Sequence, residues 1–193
     1  MSESEWRDFL NPDVTRSRLL VASVYIASFE FLKERIVSRI KNFLVFPHSD
    51  SEERYKDEVL SRNSSPVYAS LDWLKENGAI SESDIETFDR VKGCRNELAH
   101  GLSDIISTDG LPEELPERYH ELVELCRKIE VWWVVEVEIP TDPQFDGQNI
   151  DPEEVLPGPV AGLQMLHDIA LGEEGQRKSY YEEVFGEEPE DNA

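Results

Sequence analysis

Arg95 and His100 stand five positions apart in the run Arg95-Asn96-Glu97-Leu98-Ala99-His100, and their types suit metal-free cleavage of RNA. That reaction needs a base for the 2′-hydroxyl proton, an acid for the departing 5′-oxygen, and positive charge on the phosphorane. An imidazole can serve as base and acid near neutral pH, and a guanidinium forks onto phosphate oxygens. Asn96 and His100, four apart, share a face of any helix that carries them, so the amide can orient the ring. Arg95 falls about 140° around the axis from His100, at roughly 100° per residue. One copy therefore converges on a phosphate poorly. A two-fold dimer packing this helix against its mate would bring two Arg and two His into one cleft. On spacing alone a plainer alternative stays open: an exposed Arg, and a His that ends a helix before Gly101.

Other chemistry finds little support. No P-loop, dinucleotide fingerprint, zinc motif or Gly-x-Ser-x-Gly occurs, so neither a metal nor a cofactor is expected. His48 follows a proline in a loop, and His120 and His167 sit on helices without a metal partner at i+4; all three read as surface or interface. Acidic pairs such as Glu52-Glu53 and Glu113-Glu114 read as solvated faces. Cys94 and Cys126 lie among apolar residues in helix-like stretches and read as reduced core thiols of a cytoplasmic protein.

The elements that must position the motif read as helices. Asn11-Pro12 is a turn signal, after which Asp13 or Thr15 can cap a helix running to about Phe46. Leu19, Ala22, Ile26, Phe29, Leu32, Ile36, Ile40 and Phe43 recur along it at three- and four-residue steps, the stripe of a core-facing helix. Shorter helices follow over 51–62 and 65–77. Ser83-Asp84-Ile85-Glu86 reads as the capping box of the helix that carries the motif. A last long helix starts at Pro112 or Pro116. The stretch from Ile129 to Ile139 alternates Glu with β-branched residues and would suit a strand, but no second strand exists to pair with it, so helix is expected. Trp132-Trp133 belongs in the core or in a dimer seam. Five of the 11 prolines fall within 140–159, followed by a short amphipathic helix and the acidic run Glu187-Glu188-Pro189-Glu190-Asp191. The expected organisation is a bundle over 1–139, and over 140–193 a linker, short helix and acidic tail.

Charge bears on partners. The 193 residues carry −23 net, which excludes a general polyanion binder working through bulk positive charge. The excess acid is uneven: residues 1–100 hold 14 basic and 18 acidic side chains, residues 101–193 hold 5 and 24. The 12–42 helix is the one net-positive element, and Arg35 and Arg39, sharing a face, could line a local RNA groove that the acidic C-terminal part shields. A halophile's solvation strategy would account for the acid equally well. The N-terminus lacks the pattern of a signal peptide, and the apolar run Leu19–Phe29, about half a membrane span, stops at Glu30. A soluble protein away from the membrane is expected.

The motif, late in a helix between two long ones, resembles the signature of the HEPN superfamily: Arg, a polar residue often Asn, a short spacer, then His. The resemblance covers about residues 13–138 and rests on Arg95, Asn96 and His100. It implies an all-α, antiparallel bundle of four or five helices, here with an acidic extension, and a homodimer. It also implies a metal-independent endoribonuclease of a toxin–antitoxin, antiphage or stress system, with RNA as substrate and an antitoxin or other protein as partner. His100 would be general acid/base, Arg95 the phosphate anchor and Asn96 the orienting group. Some members are instead non-catalytic modules that bind proteins or nucleotides. In one toxin branch a modified Tyr stands two residues after the His; here that residue is Leu102, so that regulation is not implied.

Overall fold

A computed structural model describes residues 3–45, 51–146, 148, 150–172, 180 and 182–186. The chain runs α1 (Glu3–Leu10), α2 (Pro12–Val45), α3 (Ser51–Tyr55), α4 (Pro66–Glu76), α5 (Glu82–His100), α6 (Leu102–Asp104), α7 (Leu115–Trp133), α8 (Ile139–Thr141) and α9 (Gly158–Leu171). α3, α6 and α7 each pass into a π-helical turn, at Lys56–Leu60, Ile105–Asp109 and Val134–Glu138. No strand occurs among the described residues, so the all-α expectation holds.

α2 is the spine. Pro12 opens it with a preset φ, and the Asn11 Oδ1 accepts the Asp13 amide at 3.0 Å, satisfying one of the first-turn donors. Its 34 residues span about 51 Å at 1.5 Å per residue. Along that length it packs against α3, α4, α5, α7 and α9. Tyr25, Phe29, Leu32, Ile36, Ile40 and Leu44 point into the core, whereas Leu19 and Phe43 of the expected stripe are exposed. Near its C-terminal end Phe43 instead lies edge-on to Trp133, which is buried and stacks on Trp73 at 6.0 Å.

The cap of α5 lies two residues earlier than expected, at Ser81 rather than Ser83. The Ser81 amide and hydroxyl both donate to Asp84 Oδ2, at 2.7 and 2.6 Å, so Ser81 with Asp84 forms the box and Ser83 lies inside the helix. Phe88, Val91, Cys94 and Leu98 anchor the helix in the core, and its main packing partner is α7. The Gly101 amide still makes the helical bond to the Glu97 carbonyl at 2.8 Å, and the helix ends there as the Gly101 backbone leaves the helical region, at φ −92° and ψ 6°. A Cβ at Gly101 would lie 2.9 Å from that carbonyl oxygen, so a side chain there forces the turn to shift.

The ambiguous 129–139 stretch is helical, with a π turn at its end. Ile129 and Trp133 enter the core while Glu130 faces α2, a three- and four-residue rhythm that overrides the β-branched propensity. The expected appendage is corrected in part. α9 packs on α2 and α7, and its Val160 and Leu163 are buried members of the one core cluster. The division at 139/140 therefore does not separate two packed units. Burying two such side chains stabilises by roughly 1.5–3 kcal/mol each, enough to hold a short helix across a proline-rich connection. The acidic run from Glu187 and the loop histidine His48 lie outside the described residues. No helix among the described residues is long and apolar enough to cross a membrane.

Candidate functional site

The motif residues sit on the outer face and the C-terminal end of α5. Leu98 between them is fully buried and fixes the rotation of the helix, which leaves Arg95 and Asn96 half-buried and His100 exposed. Arg95 is held from two sides. Its Nη2 donates to Glu30 Oε1 on α2 at 2.6 Å, and its Nη1 donates to Asn96 Oδ1 at 3.2 Å. The guanidinium lies 6.0 Å from the centre of the Phe29 ring beneath it. Its Nε is buried with no hydrogen-bond partner among the described residues.

Glu30 is shared. Its second oxygen accepts from Lys33, one helical turn along α2, so a single carboxylate bridges two cations. The Lys33 hydrogen bond, aided by Arg95, holds the Glu30 carboxyl below its usual range despite partial desolvation. Lys92 stands three residues before Arg95 on α5, hence beside it on the helix surface. Its Nζ donates to the Tyr68 hydroxyl at 3.1 Å and lies 4.7 Å over that ring, while the same hydroxyl donates to Asp89.

Arg95 and Asn96 are thus brought together, but Asn96 serves the guanidinium rather than the imidazole. His100 stands exposed at the C-terminal end of the same helix, about 140° around its axis from Arg95.

Arg35 and Arg39 do share a face, and that face is turned to α7. Arg35 makes a bidentate pair with Glu130, at 2.7 and 2.9 Å, and Glu130 is 1 % exposed. Arg39 Nε lies 3.7 Å from Glu130 Oε2, and Arg39 also pairs with Glu138 and rests 5.5 Å from the Trp133 ring centre. The solvent-facing RNA groove expected through these two residues is not what α2 presents. Their long side chains reach the carboxylates that looked like strand alternation in the sequence.

Reading the sequence missed Glu30, Tyr68 and Lys92. The i,i+3 pair Glu30–Lys33 was visible, and so was the abrupt end of the apolar run at Glu30. Nothing linear, however, says that position 30 meets position 95. Cys94 and Cys126 are free and buried, as expected. No group of three metal-ligating side chains occurs among the described residues. Comparison with known protein families, with curated proteins and with solved structures finds no match to this chain.

Proposed function

We propose that this chain is a metal-independent endoribonuclease of the HEPN type, acting as a two-fold dimer. The observation that carries the reading is Arg95 itself. Its fork is pre-set by Glu30 and Asn96 at the surface of an all-α bundle, with an exposed His100 on the same helix. In this reading Arg95 of one copy and His100 of the other face one phosphodiester. The imidazole takes the 2′-hydroxyl proton, the 2′-oxygen bonds to phosphorus, and Arg95 balances charge on the non-bridging oxygens. The bond from phosphorus to the 5′-oxygen breaks and that oxygen is protonated by an imidazolium. The products are a 2′,3′-cyclic phosphate and a 5′-hydroxyl. A toxin–antitoxin, antiphage or stress setting follows the same resemblance.

A second reading is favoured by a specific observation. Arg35, Arg39 and Arg95 each already have a carboxylate within the chain, as they would in a non-catalytic module that binds a protein or nucleotide. One experiment separates the two: purified protein with a pool of structured RNAs, in EDTA, beside His100→Ala. The nuclease reading expects cyclic-phosphate ends, no cleavage of DNA, and a loss of roughly 10²–10⁴-fold in rate in the variant. Arg95→Lys, which keeps the charge and loses the fork, should also be poorly active. No cleavage by either protein would leave the binding module.

A further inference from the structure

α9 is apolar on two sides. Val160 and Leu163 enter the core, while Met165, Leu166 and Ile169 are 41 %, 40 % and 46 % exposed. Together with Gly162, also exposed, these three fall within about 100° of arc at 3.6 residues per turn, on the side away from Val160. We infer that this face is a seam between two copies of the chain, packed antiparallel about a two-fold axis beside Met165 and Leu166. The seam is separate from the α5 pairing of the ribonuclease reading and does not depend on it.

The pattern is self-complementary, as a two-fold demands. In an antiparallel pair centred between Met165 and Leu166, Met165 faces the partner's Leu166 and Gly162 faces the partner's Ile169. Gly162 is a notch: a Cβ built there meets nothing within 4 Å, so the space above it is open to an isoleucine. Knob and notch stand at the two ends of one apolar stripe, with the two larger side chains between them. Reversing the stripe therefore sets each knob over the other copy's notch.

Charge points to the same occupant. Residues 101–193 hold 24 acidic side chains against 5 basic, so two copies repel across much of their surface. From Val155 to Leu171 there is no Lys or Arg, and the one carboxylate is Asp168. Asp168 lies about 110° around the helix from the centre of the seam and accepts from the Tyr180 hydroxyl at 2.8 Å. The face thus offers nothing to select a basic partner and no cation to hold an anionic membrane. The chain that follows α9 offers little to cover it. Residues 173–179 and 187–193 hold no Val, Leu, Ile, Met or aromatic residue, and Val184 and Phe185 are themselves 71 % and 63 % exposed. A pair of 14-residue helices, each about 21 Å long, buries less than the roughly 800 Å² per partner of a standard interface, so the association is weak, in the micromolar range.

The test is sedimentation velocity of the full chain from about 5 to 200 µM, at about 50 and 500 mM NaCl. The mass should rise with concentration from 22.2 kDa toward twice that value. It should rise further at high salt, because screening removes the repulsion between acidic copies. Gly162→Leu fills the notch where the monomer has open space, so it should weaken association about tenfold or more. Its thermal midpoint should hold or increase, since leucine favours a helix over glycine. Adding Ile169→Ala sets a new notch against the new knob and should recover a good part of the association. Leu166→Gln should weaken association with the helix content unchanged by circular dichroism. A wild type still monomeric at about 200 µM and high salt overturns the inference, as does a dimer that Gly162→Leu and Leu166→Gln leave unchanged. The ribonuclease reading fails separately. His100-dependent cleavage by a dimer that Gly162→Leu leaves intact keeps that reading and overturns this seam. A dimer lost in Gly162→Leu, with no His100-dependent cleavage by the wild type, keeps the seam and removes the nuclease.

Discussion

Two ion-pair clusters hang from α2 and use the same chemistry to opposite ends. Toward the C-terminal half, Arg35 and Arg39 converge on Glu130, which is 1 % exposed, with Trp133 packed against Arg39. Near the middle, Glu30 bridges Lys33 and Arg95, with 38 % of its side chain exposed. In the first cluster the shared carboxylate is shut off from water, although Arg35 and Arg39 are each 26 % exposed, so Glu130 is committed to its partners. In the second, the shared carboxylate is itself open to solvent, so a partner can be exchanged at smaller cost. Burial, more than the identity of the paired groups, decides which cluster holds the fold and which can take part in binding.

The largest expected effect removes the buried carboxylate. Glu130→Ala leaves Arg35 without its carboxylate while Arg39 keeps Glu138, and should destabilise by about 1–3 kcal/mol in urea titrations. Combining it with Arg35→Met should recover a good part of that loss, because an unpaired, partly buried charge is worse than none. A loss below about 1 kcal/mol for the single variant would mean that water enters this seam and the two clusters do not differ.

Glu30→Gln should act the other way. It should cost no more than about 1 kcal/mol of stability and should tighten RNA binding several-fold at low salt, by freeing Lys33 and Arg95. It also carries a pH signature. The folded-state pKa of Glu30 is depressed by Lys33 and Arg95 below its ordinary value of 4.5. Its stabilisation is therefore fully present above that value and is lost as pH falls through the lower, folded-state pKa. The urea midpoints of wild type and Glu30→Gln should differ at pH 7 and converge toward pH 3. Midpoints that stay equally far apart throughout would show that the carboxylate's charge is not what matters.

The smallest effect reports on the same seam without breaking it. Burial first, and then the neighbouring Glu130, push the Cys126 thiol up to about 12. Cys94 is raised by burial as well. Both should resist an aromatic disulfide reagent at pH 8 until the chain unfolds. In Glu130→Ala, Cys126 should react faster while Cys94 keeps its wild-type rate. Equal acceleration of both thiols would indicate global unfolding rather than opening between α2 and α7.

What the sequence determined by itself is local. Helix-forming stretches of α2, α5 and α7 were legible because an apolar stripe at three- and four-residue steps must face a core, and because Asn11-Pro12 and Gly101 mark helix ends. The rotation of Arg95 away from His100 was legible too, since it follows from 3.6 residues per turn alone. Only the tertiary structure decided which charges meet. Glu30 finds Arg95 across 65 positions and Arg35 finds Glu130 across 95. Side-chain periodicity carries no record of such distant pairings. For the same reason α9 read as an appendage: Val160 and Leu163 make a short apolar pattern whose burial depends on a surface that α2 and α7 build only after they pack.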